Sequence, residues 1–491
     1  MENTGRIRKL LTPSARRILF ATGNGPQAEE LWLISRVDQA HILMLMECGI
    51  VDRHAGAKLL AAIDRLQKQN FSPLEGREAP RGTFLLYEDY LIESHGAKVG
   101  GILQTARSRN DLNSTILKLK LRQPYLRILR EGLRLQAVLL NRIRRFAGVV
   151  MPVYTHGQAA MPITYGHYLA GVAAALSRDL EGIFTAAHDL QSCPLGAGAV
   201  AGTSFPINVS RTAELLGFTT GPLNSLDAVA SRDLVLRFLS AASVYSITLG
   251  RMATDFLQWT TAEFGFLGLP DELTGSSSAM PQKKNPFILE HVQGRSASLI
   301  GAFVQAAAPM HAMPFTNCIA VGTEAIKPAW EALRSLAEMM VLTRLVVAAA
   351  RPHQEAMLRR AGDGFTVATE YANRAVREAK LDFRTAHRLI GQAVLKSIEC
   401  SENSLDQTAT EVAASTHIPV SFQGLDPSSV VQSLEYGGGP GPCSMETMFA
   451  VLHERSADQR RRKRSQERAW QHAEALLEEK VKSALHLSMP S

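Results

Sequence analysis

Apolar residues recur at three- and four-residue intervals along most of the chain, the spacing that places them on one face of an α-helix. Between residues 28 and 69 this pattern predicts two helices, separated by a short break near 49–52. A stretch rich in proline, glycine and charge at 70–83 predicts a loop, and a further helix starts near Phe84. These helices follow a basic segment at 1–26 that is expected to be a loose arm.

Five longer helical patterns follow, and they exceed the average helix length of globular proteins. Several carry alanine, serine and glycine on more than one face, which indicates burial on several sides, as in the middle of a helix bundle. No block alternates as a half-buried strand does, and no tandem repeat is found. The pattern therefore predicts an all-α protein with long helices at 111–147, 164–191, 233–264, 286–310 and 327–350.

The composition shifts after about residue 360. Shorter helices, a turn of glycine and proline, and a charged last helix are predicted at 367–380, 384–400, 437–442 and 454–484. We therefore predict three domains, which are an N-terminal helical domain at 1–110, a central long-helix bundle at 111–362 and a C-terminal helical domain at 363–491.

Composition narrows the class of protein. The chain has 491 residues, more than one compact core supports, and its aromatic share of only 6% leaves aliphatic side chains to form the core, which favours helices. The net charge of +7 is modest for this length and is weak evidence for nucleic acid or a membrane surface. Five scattered cysteines show no zinc-site spacing and are typical of a reducing compartment. With no signal peptide and no run of about 18 apolar residues, we expect a cytoplasmic protein.

Two motifs that suggest chemistry have simpler explanations. The glycines of GAGAVAG, which are Gly196, Gly198 and Gly202, do not fit the dinucleotide fingerprint, and a tight turn between helices is the default interpretation. The basic run RRRKR at 460–464 is followed by glutamates in a helical pattern, so a solvated helix face is favoured over a nucleic-acid site.

A third motif is less easily explained. The polar segment at 274–286, TGSSSAMPQKKNP, lies between two strongly apolar helices. Serines beside a lysine can supply an activated hydroxyl, and adjacent backbone N–H groups can hold an oxyanion. A surface linker explains the composition equally well, so the residues alone leave both interpretations open.

The same segment contains the pattern SSxMPxKxNxxxxE, which resembles the signature loop of the aspartase/fumarase superfamily. Further segments resemble argininosuccinate lyases in particular, and they occur in the same order. They are TARSRND at 105–111, MPVYTHGQAAMPITYGHYL at 151–169, LGAGAVAGTSFPINVSRTAELLGF at 195–218 and NSLDAVASRD at 224–233. The resemblance extends from about residue 30 to residue 445.

The resemblance implies an enzyme that removes an amine from a succinyl skeleton and releases fumarate. Ser277 would be the general base, and Lys283 and Asn285 would bind the carboxylate that gains charge when the proton leaves. His156 would bind a carboxylate or help to protonate the departing nitrogen, and Glu290 would orient its ring. The implied catalytic residues are thus Ser277, His156, Lys283 and Glu290. The implied substrate-binding residues are Ser108, Arg109, Asn110, Thr155, Gln158, Ser276, Ser278, Met280, Asn285, Glu324 and Lys327.

The family fold implies a three-domain all-α protein whose central bundle assembles into a homotetramer. The Ser108, Thr155 and Ser277 segments would then reach each active site from three different subunits. The family implies no metal and no organic cofactor, and the expected partner is a small succinyl or fumarate substrate rather than nucleic acid or a membrane.

Several positions depart from the family pattern. Gln104 replaces a histidine, Leu112 and Met161 each replace a glutamine, and the early ExxH pattern is missing from EDYLIE at 88–93. None of these departures lies in the signature loop, which keeps its serines, lysine and asparagine.

The departures that bear most on the substrate lie after residue 310. The family segment YNxDLQxDK helps to hold the arginine end of the substrate, and aligning it on Lys327 places Ile319 at its tyrosine, Val321 at its basic position and Glu324 at its glutamine. Since unpaired polar groups are costly, a changed lining implies a changed ligand. We therefore expect a C–N lyase whose amine is not arginine. Argininosuccinate cleavage and a catalytically silent structural protein are the alternatives.

Overall fold

The computed structural model of the chain describes residues 11–20, 28–77, 79, 82–400 and 404–486. It is 71% helical, which confirms the predicted all-α class. The helices are α1 (Pro13–Phe20), α2 (Ala28–Glu47), α3 (Arg53–Lys68), α4 (Thr83–His95), α5 (Ala97–Gly100), α6 (Arg109–Arg145), α7 (Tyr165–Ala186), α8 (Val209–Leu215), α9 (Ser225–Ala230), α10 (Asp233–Trp259), α11 (Phe287–Met310), α12 (Lys327–Ala349), α13 (Gln354–Gly362), α14 (Ala368–Ala379), α15 (Phe383–Glu399), α16 (Leu405–Ser415), α17 (Pro427–Ser433) and α18 (Pro442–Leu485).

Two predictions about local structure need correction. The N-terminal arm predicted at 1–26 contains helix α1, while 1–10 and 21–26 lie outside the described residues. The last helix begins at Pro442 rather than near 454, because the Glu435 carboxylate accepts hydrogen bonds from the backbone N–H groups of Cys443 and Ser444 and so caps its first turn.

Strands are also present, although no alternating block was found in the sequence. The largest pair is an antiparallel hairpin, and two short antiparallel pairs accompany it. The hairpin pairs β1 (Val150–Thr155) with β2 (Gln158–Thr164), and the short pairs are β3 (Leu267–Gly268) with β6 (Arg351–Pro352) and β4 (Gly275–Ser276) with β5 (Lys284–Asn285).

The central core is formed by the long helices α6, α7, α10, α11 and α12, which bury leucine, alanine and a few aromatic side chains against one another. Helix α10 is long and apolar enough to cross a membrane by length and composition, but half of its most apolar window is buried inside the protein. It therefore has the properties of the core helix of a bundle.

Two further hydrophobic clusters flank the central core. One joins helices α2 to α4 with residues 193–218, and the other joins α14 to α16 with Phe422. Helix α18 contributes Trp470 to the central cluster and Leu477 to the cluster around α2. The last helix thus packs across the boundary between predicted domains, and the division at 110 and 362 stays a prediction.

Candidate active site

Helix α6 begins at the segment that resembles a carboxylate-binding motif. Ser108 is the N-cap, its hydroxyl accepts a hydrogen bond from the Asn110 N–H, and Asp111 accepts one from the Ser108 N–H at 3.0 Å. Arg109 and Asn110 therefore occupy the first turn, where the N–H groups of the helix end favour an anion. The amide of Asn110 also donates to the carbonyl of Ala199 at 3.2 Å.

The glycine-rich segment packs directly against this helix start. The buried Asp111 carboxylate accepts hydrogen bonds from the backbone N–H groups of Gly196 and Gly198 at 3.1 and 2.9 Å. Gly198 has φ +63°, and a Cβ atom there would lie 2.5 Å from the carbonyl oxygen of Gly202. The segment is a turn between helices, as the sequence indicates, and Asp111 also couples it to the candidate site.

A buried polar cluster lies behind the same segment, and the sequence interpretation missed it. Arg107 pairs with Asp38 at 2.6 Å, and neither side chain is exposed. The Nε2–H of His41 donates to the carbonyl of Thr105 at 2.8 Å, and burial lowers the pKa of His41 to about 3. The only sequence signal was an aspartate and a histidine within the apolar pattern of α2. The cluster therefore holds Arg107, which directly precedes Ser108.

The segment expected to hold the amine lies at the same end of the bundle. A turn of π-helix at Ala320–Glu324 precedes α12, and π-helical turns are frequent at functional sites. Glu324 forms an ion pair of 2.5 Å with Lys327 on the protein surface, while Ile319 is 70% exposed and Val321 is buried. The segment thus presents an exposed apolar side chain and a carboxylate that is paired with a lysine.

Thr155, His156 and Gln158 lie at the tip of the β1–β2 hairpin. His156 and Gly157 both have positive φ, +52° and +76°, so they form the two central residues of a tight hairpin turn that fits the twist of the strands. All of these side chains are exposed in the single chain. The hairpin therefore projects them away from its own core.

The signature loop is a second, smaller hairpin. Strands β4 and β5 pair Ser276 with Lys284, and the half-buried Ser277 follows β4 directly. The Ser277 Oγ accepts hydrogen bonds from the backbone N–H groups of Ala279 and Met280 at 3.4 and 3.1 Å. These donors would stabilise negative charge on the serine oxygen.

The two lysines of the loop have different surroundings. Lys284 contacts the carbonyl of Leu269 at 2.8 Å and the carboxylate of Asp271 at 2.7 Å, so it ties the loop to its stem. Lys283 is exposed, and no ion pair joins it to any part of the chain that the structure describes. Its ammonium group is therefore available for a carboxylate.

The remaining loop residues lie around Ser277. Ser278 and Met280 are exposed at the tip, Asn285 is half-buried on β5, and Glu290 is exposed on the first turn of α11. Within the described part of one chain, no hydrogen bond or ion pair joins Glu290 to His156. The predicted orientation of the His156 ring by Glu290 therefore stays a prediction.

One chain thus carries the predicted site residues at two opposite ends of its bundle. Helix α6 has 37 residues and separates the Ser108 segment from the hairpin by about 55 Å along its axis. Helix α11 has 24 residues and separates the signature loop from the Glu324 segment by about 36 Å. The Tyr154 and Phe264 rings, with centroids 5.4 Å apart, show that the hairpin and the region leading to the loop share one end.

Among the described residues, no three histidine, cysteine, aspartate or glutamate side chains lie together as a metal site. Beside His156, Glu290 and Glu324, the two ends carry hydroxyl, ammonium, guanidinium and backbone N–H groups. Such groups bind carboxylates and stabilise developing negative charge.

Known proteins resemble the chain over most of its length. A family model described as Lyase matches residues 87–301. Argininosuccinate lyase from Methanothrix thermoacetophila is 35% identical over 86% of this chain and 87% of its own, and argininosuccinate lyase 1 from Shouchella clausii is 30% identical over 90% and 92%. Among solved structures, an EDDS lyase variant with bound fumarate has a TM-score of 0.85 and 27% identity, covering 97% of this chain and 99% of that one.

The fold and the matches together define a lyase. The chain belongs to the aspartase/fumarase superfamily, within which it is argininosuccinate lyase-like. Its enzyme class is that of a fumarate-releasing carbon–nitrogen lyase.

Proposed function

We propose that the protein eliminates an amine other than arginine from an N-substituted aspartate and releases fumarate, or runs in reverse and adds that amine to fumarate. The observation that carries this proposal is the contrast between two regions. The signature loop keeps its serines, lysine and asparagine, whereas the segment from Ile319 to Lys327 loses the polar residues typical of the family.

The fumarate half of the reaction needs a base and an acceptor for negative charge. Ser277 takes the proton from the carbon beside a carboxylate, and the electron pair moves into that carboxylate, which Lys283 and Asn285 bind. The N–H groups of Ala279 and Met280, both within 3.4 Å of the serine oxygen, support this assignment because they lower the cost of the alkoxide.

Expulsion of the amine completes the elimination. The C–N bond breaks, its electron pair leaves with the nitrogen, and a proton must reach that nitrogen. His156, with Thr155 and Gln158 beside it on the hairpin tip, binds a substrate carboxylate or supplies this proton. Its exposed position on a tight hairpin turn supports either role.

The amine half is recognised at the other end of the bundle. Glu324, which pairs with Lys327, is a suitable partner for a cationic amine. The exposed Ile319 offers an apolar contact where the family has a tyrosine hydroxyl. Diamines, amino acids and other nitrogen nucleophiles are therefore the amines to test.

A complete site requires several copies of the chain. We infer a homotetramer in which the Ser108, Thr155 and Ser277 segments meet from three subunits. The two-ended distribution of these segments supports it, as do exposed apolar side chains on the central helices. Those side chains are Val244 and Ile247 on α10 and Ile300 and Val304 on α11, each more than 40% exposed. We further propose that the protein is cytoplasmic and that it uses no cofactor.

The second candidate function is argininosuccinate cleavage itself. Identities of 30–35% to argininosuccinate lyases favour it. A third candidate, from a different class, is a catalytically silent structural protein on this fold. The retention of Ser277, Lys283 and Asn285 counts against it.

The test is an activity screen on the whole protein. Fumarate is followed by its ultraviolet absorbance, first with argininosuccinate and then in reverse with fumarate and a panel of amines. We expect turnover with an amine from the panel and little with argininosuccinate. Fast argininosuccinate cleavage overturns the altered-amine proposal, and no turnover with any amine favours the structural protein.

A further inference from the structure

Arg232 is a buried arginine that no part of the proposed mechanism uses. It lies directly before α10 and is only 5% exposed. Its Nη1 donates to the carbonyls of Val229 and Ser231 at 2.8 and 2.7 Å, and its Nη2 donates to the Ser114 hydroxyl at 2.9 Å. All three acceptors are uncharged.

The charge of Arg232 has no counter-ion within the described chain. Among the described residues, no carboxylate lies within ion-pair distance, and burial lowers the pKa of Arg232 to about 10. The equally buried Arg107, in contrast, contacts Asp38 at 2.6 Å. An uncompensated buried cation destabilises a fold, so an anion bound near Arg232 would be stabilised by it.

The hydrogen bonds of Arg232 lead directly to the candidate carboxylate site. The Ser114 hydroxyl, which accepts from Arg232, donates in turn to the backbone carbonyl of Asn110 at 2.8 Å. One serine therefore connects the guanidinium with the first turn of α6, where Arg109 and Asn110 are placed to bind a carboxylate.

The same guanidinium also approaches the segment expected to hold the amine. A Cβ atom built on Gly322, in the π-helical turn, would lie 3.9 Å from the Arg232 Nη2. Glu324 follows two residues later in that turn. Arg232 thus lies between the two segments that would hold opposite halves of one substrate.

We propose that Arg232 is a positioning residue for the dianionic succinyl group. Its positive charge raises the electrostatic potential at the Ser108–Asn110 segment, and its hydrogen bond to Ser114 fixes the first turn of α6 against the π-helical turn. The inference rests on the proposed fumarate-releasing function but not on the identity of the amine.

The experiment measures binding of fumarate and of succinate to the purified whole protein by calorimetry, with no amine present. We expect Arg232→Met to weaken fumarate binding at least about ten-fold, and Arg232→Lys, which keeps the charge, to restore most of the affinity. Ser114→Ala, which keeps the charge and breaks the connection to Asn110, should weaken binding by a smaller factor.

Arg122 provides the matched control. It is half-buried, and it donates to the carbonyls of Leu216 and Gly217 at 2.8 and 3.0 Å, but it lies about four turns along α6 against Phe218. Arg122→Met should destabilise the fold without changing fumarate affinity. A structural role for Arg232 would make both methionine variants behave alike.

The outcomes distinguish failure of the Arg232 role from failure of the proposed function. If the unaltered protein binds fumarate and Arg232→Met binds it equally well, the role of Arg232 is wrong while the proposed function stands. If Arg232→Met does not fold, unchanged fumarate affinity in Ser114→Ala overturns the inference. If the unaltered protein binds neither fumarate nor succinate, the proposed function fails as well.

Discussion

At the scale of single residues, the central question is how a serine removes a proton from carbon. A hydroxyl is a weak base, so its oxygen needs nearby positive charge or N–H donors when it ionises. Ser277 accepts hydrogen bonds from two backbone N–H groups. Lys283, which has no ion pair with any described residue, lies six residues later in the same small hairpin. The local structure of the loop therefore suits the proposed role.

We expect Ser277→Ala to lower the rate of fumarate formation by about a hundred- to ten-thousand-fold, because the base is lost while the fold is kept. Steady-state kinetics measures the rate, and circular dichroism shows whether the fold is kept. Ser415→Ala, on the exposed end of α16, is the control and should leave the rate unchanged. A Ser277→Ala variant with a normal rate would show that another group is the base.

A second prediction at this scale concerns His41. Its pKa is lowered to about 3 by burial and by the nearby Arg107, whereas an unfolded histidine titrates near 6.5. The unfolded state therefore binds the extra proton as pH falls below 6.5, and stability decreases towards pH 3. Between pH 7 and pH 4.5 this group alone should remove about 2 to 3 kcal/mol of unfolding free energy.

Urea unfolding at the two pH values, at fixed protein concentration, measures this loss. His41→Gln keeps a donor for the Thr105 carbonyl but cannot take up the proton, so it should lose less stability on acidification than the unaltered protein. Equal losses in both proteins would contradict the assignment of a buried, neutral histidine.

At the scale of elements, the helices were largely predictable and the strands were not. Long helices such as α6 and α10 follow from three- and four-residue apolar spacing, and their ends differ from prediction by a few residues. The β1–β2 hairpin lacks regular alternation, and its turn is His156–Gly157 rather than the Asn–Gly that signals such turns. The exposure of the hairpin tip also depends on tertiary packing, which local sequence patterns do not encode.

The candidate site was predicted only where motifs marked it. Ser277, Lys283 and His156 belong to recognisable segments. Arg107, Asp111 and Lys284 lie in such segments too, but what they do depends on contacts with other parts of the chain, such as the Asp38–Arg107 pair. Sequence separations such as the 85 residues between Asp111 and Gly196 cannot be read from spacing. These contacts became visible only in the folded structure.

The connection between Asp111 and the glycine-rich segment supports a prediction at this scale. Asp111 accepts hydrogen bonds from the N–H groups of Ser108, Gly196 and Gly198 through its two carboxylate oxygens. In Asp111→Asn only one oxygen remains as an acceptor, and the new NH2 group faces an N–H donor. We expect a loss of about 2 kcal/mol in unfolding free energy and a weaker binding of fumarate. Unfolding and calorimetry measure the two effects, and an unchanged affinity would show that the connection is only structural.

At the scale of the whole molecule, the two-ended distribution of the site residues is the main finding. The Ser108 and Glu324 segments lie at one end of a bundle whose longest helix extends about 55 Å, and the Thr155 and Ser277 segments lie at the other. One chain cannot bring them together without unfolding its core. We therefore expect the proposed enzyme to be active only as an assembly.

The most direct test of this account combines two inactive variants. Asn110→Ala and Ser277→Ala damage opposite ends of the bundle, and hybrid assemblies of the two are purified by different affinity tags. If each site takes these residues from different subunits, about one site in four is intact after random mixing, and fumarate formation should return to a corresponding fraction of the unaltered rate. Hybrid assemblies as inactive as either variant alone would contradict the shared site.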